Sequence, residues 1–99
     1  MKKHETIIKF MERLKLVINF TLLEIVDYWE ADLCAIGLKK GNQLVYISTF
    51  NYVEEAELAY DFDLELLDQN IREQIEIIKE GRRVSESELM DEIKAFLGE

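Results

Sequence analysis

The chain has 99 residues, 48% of them apolar and 33% charged, with a formal net charge of −9. That length holds one hydrophobic core, so residues 1–99 are expected to form a single domain, and the composition excludes a disordered tail. The sign of the charge argues against DNA, RNA or an anionic membrane surface as partner and favours a basic one.

The opening Met1-Lys2-Lys3-His4-Glu5 reaches charge too soon for a signal peptide, and no apolar run approaches the roughly 18 residues of a membrane span. His4, the only histidine, sits near a terminus expected to fray. Residues 5–18 carry Ile7, Phe10, Met11, Leu14 and Val17 or Ile18 at helical spacing, with Glu5, Lys9, Glu12, Arg13 and Lys15 on the other face. Residues 19–29 fit a helix or a strand. The β-branched Val26 favours a strand from about Leu23, interrupted near Glu30-Ala31 and resumed at Asp32. Leu33 to Leu38 then reads as a strand, Lys39-Lys40-Gly41-Asn42 as a turn, and Gln43 to Phe50 as its partner strand. Cys34, the only cysteine, fits a small buried hydrophobe, and a chain with one cysteine can form no internal disulfide. A reducing cytoplasm is its expected home.

Residues 58–67 alternate. Leu58, Tyr60, Phe62, Leu64 and Leu66 make a core face, while Ala59, Asp61, Asp63, Glu65 and Leu67 are expected to face water. Asp68 can cap a helix lined by Ile71, Ile75 and Ile78 and ended by Gly81. Ser85-Glu86-Ser87-Glu88 is a capping box for a last helix, with Val84 and Leu89 placed as a hydrophobic staple. The expected fold class is α+β: an antiparallel sheet of three to four strands with helices on one face, in the order α-β-β-β-α-α.

One histidine and one cysteine give no zinc site and no workable nucleophile–base pair, and no glycine loop cradles phosphate. An enzyme is therefore not expected, nor a cofactor. Asp61, Asp63 and Glu65 could gather oxygens around Mg²⁺, which makes a metal-dependent hydrolase one alternative. It lacks a phosphate-holding base, since none lies between Lys40 and Arg72. The closing segments resemble a helix-turn-helix in outline, with Arg82 and Arg83 near phosphate. The last helix offers only Lys94 against several acids, the reverse of a DNA-reading balance.

The charge is lopsided. Residues 1–50 carry seven basic and six acidic groups, whereas residues 51–99 carry five and fifteen. Between Glu54 and Asp68 lie seven acids and no base. Aromatic anchors ringed by carboxylates suit a surface that grips a cationic protein. The acids expected to do so are Glu54, Glu55, Glu57, Asp61 and Asp63, with Asp27, Glu30 and Asp32 next. Tyr28, Trp29 and Tyr52 are the expected anchors. Self-association through an exposed strand edge, giving a weak homo-oligomer, is the other alternative.

The segment Val26-Asp27-Tyr28-Trp29-Glu30-Ala31-Asp32-Leu33-Cys34-Ala35-Ile36-Gly37, together with Leu44-Val45-Tyr46-Ile47-Ser48-Thr49, resembles the small acidic immunity proteins of bacterial contact-dependent growth inhibition and polymorphic toxin systems. The resemblance implies a cytoplasmic bacterial protein that binds and neutralises one cognate toxin, often a nuclease. It carries over no catalytic residue, because such proteins have none.

Overall fold

Gly41 and Asn42 close a two-residue hairpin turn, with Gly41 at φ +59° and Lys40 paired to Gln43 across it. Glycine reaches positive φ without steric cost, and turns of this hand match the twist of the flanking strands. In the computed structural model, which describes residues 2–67 and 75–98, this hairpin lies at the centre of a five-stranded sheet. The strands β1 (Glu24–Val26), β2 (Ala35–Lys40), β3 (Gln43–Ser48), β4 (Tyr60–Leu67) and β5 (Ile75–Val84) form an antiparallel meander in chain order. Helix α1 (Glu5–Leu14) precedes them and α2 (Glu86–Leu97) follows. Among the described residues, no helix is long and apolar enough to cross a membrane.

Ile7, Phe10, Met11 and Leu14 of α1 share one buried cluster with Leu89, Ile93 and Leu97 of α2 and with Ile36, Leu38, Val45, Ile47, Tyr60, Phe62 and Leu64 of the sheet. Both helices therefore cover the same face. The architecture is α+β with an antiparallel sheet, as the alternation and helical spacing imply. The strand count and the element order differ from the expected ones.

The main difference is at residues 75–84, which form β5 and not the end of a helix. Isoleucine spacing alone fits both periods here. Pairing with β4 decides it, from Leu67↔Ile75 to Tyr60↔Val84, and β-branched side chains suit that pleated surface. Asp68 and Ile71, the expected cap and first stripe residue, lie outside the described residues. A second difference is that β1 runs antiparallel to β2, with Val26 opposite Gly37, so the chain reverses across residues 27–34 and does not resume one interrupted strand. The reversal is held by side chains. Asp27 accepts from the Trp29 N–H at 3.3 Å, and Asp32 accepts from the Cys34 N–H at 2.9 Å. Such local bonds from Asp to the backbone two residues on compete with strand pairing.

Helix α1 also stops earlier than expected, at Leu14. Its end tightens into i→i−3 bonds from the Leu16 and Val17 N–H groups, and Ile18 still reaches the core. His4 is tied down, contrary to the fraying expected there. The His4 ring accepts from the Thr6 N–H at 3.2 Å, and the His4 N–H donates to the Leu33 carbonyl at 2.8 Å. Cys34 is free and buried.

Glu86 joins three elements. Its carboxylate accepts two bonds from Arg13 Nε, at 2.9 and 3.0 Å, and one from the Tyr60 hydroxyl at 3.0 Å. The Arg13 bond holds the Glu86 carboxyl below its ordinary value, while burial pushes the Tyr60 phenol up to about 12. A carboxyl lowered in the folded state stabilises above its unfolded value and loses that contribution as pH falls through the folded one. Glu86→Gln should therefore cost about 1 kcal/mol at pH 7, discounted because both partners are partly exposed. The gap between variant and wild type should close below about pH 4.5. Denaturant melts at pH 7 and pH 3 check both statements.

Candidate functional site

Residues that alternate with the core side chains lie on the opposite face of the sheet. The register sets them in three cross-strand rows. Val26, Gly37, Tyr46, Asp63 and Glu80 make one; Glu24, Lys39, Leu44, Glu65 and Ile77 make the next; Ala35, Ser48 and Asp61 make the third. The helices lie on the core face, so among the described residues loops alone overlap this one. Trp29, on the 27–34 reversal, meets the Tyr46 ring edge-on with centroids 4.7 Å apart. Gly37 makes room for it. A Cβ there would lie 3.1 Å from the indole and 2.8 Å from Val26 Cγ2.

The expectation that Asp61, Asp63 and Glu65 all face water is overturned. Asp61 and Glu65 are each only 8% exposed. The turn Phe50–Tyr52 folds back so that the Tyr52 hydroxyl donates to Asp61 Oδ1 at 2.5 Å and Asn51 donates to Oδ2 at 3.2 Å. The Arg83 N–H adds a third donor to Asp61 at 3.1 Å. Asp63 is held by Arg82 at 3.1 Å. The bond to Asp61 raises the Tyr52 phenol above its ordinary value, and burial adds to it. Among the described residues, no three His, Cys, Asp or Glu side chains form a group that could hold a metal ion. The donors already on Asp61 and Asp63 are what two strand carboxylates need in place of one.

The expected site residues separate into two kinds. Asp27, Asp32, Asp61 and Tyr52 have structural work. Asp27 pairs with Lys3, Asp32 caps the turn at Cys34, and Tyr52 is buried on Asp61. Tyr28, Glu30, Glu54, Glu55 and Glu57 are exposed, while Trp29 and Asp63 are half-buried. Glu55 grips the Arg83 guanidinium at 2.8 and 3.1 Å, which also lies over the Tyr52 ring at 5.0 Å. Arg83 carries a φ of +53°, a strained value for a side-chain-bearing residue, and these contacts hold it there. Beside it opens a shallow groove of about 420 Å³ lined by Glu55, Glu57, Leu58 and Ser85.

The fold brings the two expected clusters together through Tyr46, which touches Trp29 and stands opposite Asp63. Tyr46 and Glu80 were not among the expected residues. The alternation Leu44, Tyr46, Ser48 in β3 carries the signal for Tyr46, whereas Glu80 needed the β5 assignment. Lys3 was missed as well. Its Nζ donates to Asp27 at 2.7 Å and to the carbonyls of Trp29 and Asp32 at 3.2 and 2.8 Å. No family model matches the chain, and no curated protein or solved structure matches it either.

Proposed function

We propose that this chain is an immunity protein that binds one basic bacterial toxin in the cytoplasm and neutralises it without turnover. A nuclease is the toxin class whose chemistry fits best, since its groove is built to hold phosphate and a carboxylate face can take that place. The observation that carries the reading is the row Tyr46, Asp63 and Glu80 beside half-buried Trp29, on a sheet face that neither helix covers. Aromatic rings supply contact area at the centre, and carboxylates meet lysine and arginine around them. The exposed Tyr28, Glu30, Glu54 and Glu57 form the rim, where charge acts mainly on encounter rate and salt dependence.

The test pairs the chain with the C-terminal domain encoded immediately upstream of it. Expressed alone, that domain should stop growth, and co-expression should restore it. Trp29→Ala should weaken binding at least about tenfold, as loss of a central aromatic does. A domain that is harmless, or that does not bind, overturns the reading.

One observation favours self-association as the second reading. β5 is a ten-residue edge strand, with Ile75, Ile77 and Ile78 each about half exposed. Long apolar edges recruit further strands. An elution volume that shifts with concentration supports this alternative, and a strict monomer removes it.

A further inference from the structure

Building on the protein-binding reading above, we propose that Glu65 is the fixed counter-ion for an arginine side chain of the basic partner. Glu65 lies on the sheet face away from the helices, in the row next to that of Asp63, between Leu44 of β3 and Ile77 of β5. It is more than nine-tenths buried. Its two neighbours along β4 have protein donors: Asp61 takes Tyr52, Asn51 and the Arg83 N–H, and Asp63 takes Arg82. Glu65 has no hydrogen bond or ion pair with any described residue. The base in its own row, Lys39, is two strands away, about 10 Å along the hydrogen-bonding direction.

An unpaired carboxylate in this position costs stability. Burial raises the Glu65 carboxyl above its ordinary value, and the Asp63 charge pushes the same way. A leucine would serve the fold better, because replacing a poorly paired buried charge with an apolar side chain is neutral or stabilising. The oxygens nevertheless stay within reach of a partner. No fully buried side-chain oxygen or nitrogen among the described residues lacks a bond, so the unbonded oxygens of Glu65 touch solvent.

The surroundings select the cation. Ile77, opposite Glu65 on β5, is half exposed, so a side chain that reaches Glu65 from that side lays its stem on apolar surface. Tyr46 flanks the site one row away, beside Asp63. A guanidinium is planar, is more weakly hydrated than an ammonium and stacks on aromatic faces, which suits a carboxylate that has Ile77 beside it and Tyr46 one row away.

Two measurements on the whole chain test this. In thermal melts at pH 7, Glu65→Leu should raise the midpoint by about 5 °C, the shift expected when an unpaired buried charge is removed from a domain this size. A lowered midpoint means that Glu65 supports the fold and overturns the assignment. The second measurement titrates a hexa-arginine peptide into wild type, Glu65→Gln and Glu12→Gln at low salt. Glu12 is an exposed acid on α1. Glu65→Gln should weaken binding about tenfold, Glu12→Gln less than twofold, and hexa-lysine should bind more weakly than hexa-arginine. Equal loss in both variants overturns the Glu65 site but leaves the acidic face standing. Equal binding of the two peptides overturns the choice of arginine. No binding of either peptide to wild type counts against the protein-binding reading itself.

Discussion

Gly81→Ala should lower the midpoint of thermal unfolding by on the order of 15 °C. A Cβ at residue 81 would lie 1.9 Å from Phe62 Cε1 and 2.5 Å from two further ring carbons. Phe62 is only 2% exposed and packs in the main cluster, so its ring has nowhere to swing. Either β4 and β5 part locally or the ring leaves its rotamer. Overpacking of this kind costs about 3 kcal/mol, and each kcal/mol moves the midpoint by roughly 5 °C in a domain of about 100 residues. The double variant Gly81→Ala with Phe62→Leu should recover part of the loss, because the smaller side chain vacates the space. A midpoint within 2 °C of wild type in the single variant would contradict the pairing of Phe62 with Gly81 and return residues 75–81 to the helical reading.

Lys3→Met should cost about 2–3 kcal/mol and loosen the part of the face that carries Trp29. The Lys3 side chain is 1% exposed and holds the 27–34 reversal at three points. Methionine keeps the buried stem but leaves the Asp27 carboxylate and two carbonyls without their donor. Breaking a fully buried pair costs more than this, but the Asp27 side chain is 32% exposed and water recovers part of the loss. Amide exchange at Asp32, whose N–H donates to the Trp29 carbonyl, should speed up markedly while the amides of β3 and β4 hold. Affinity for the partner should fall in parallel, through the order of the loop and not through any contact of Lys3. Unchanged exchange at Asp32 would show that the reversal holds itself through its Asx bonds alone.

The parts of the fold legible in the sequence are those that local chemistry decides. Gly41-Asn42 makes its turn because few residues accept the backbone angle there. Ser85 caps α2 by accepting from the Glu88 N–H at 3.1 Å. Val84 and Leu89, placed as a staple, both pack on the core. β5 was not legible, because Ile75 and Ile78 suit a helix as well as a strand and only the distant β4 chooses between them. Tertiary pairing overrides local preference most easily where that preference is weak.

The site followed the same rule. Alternation in β4 identified the core face, yet it could not show that Tyr52 returns to bury Asp61 or that Arg82 meets Asp63. Charge density pointed to residues 54–63 as a whole. The fold divides them into exposed rim acids and the two carboxylates Asp61 and Asp63, each held by its own donors, with the unbonded Glu65 just beyond. Trp29 stands out as the only tryptophan of the chain, whereas its neighbour Tyr46 sits among residues that read only as a strand.

The central claim, that this face binds a basic toxin, is tested most directly by titrating the purified upstream domain with the whole chain at several salt concentrations. One-to-one binding is expected at low salt, with a Kd on the order of nanomolar. That affinity should fall steadily as salt screens the carboxylates. Binding that is absent at the lowest salt, or that ignores salt throughout, would contradict it.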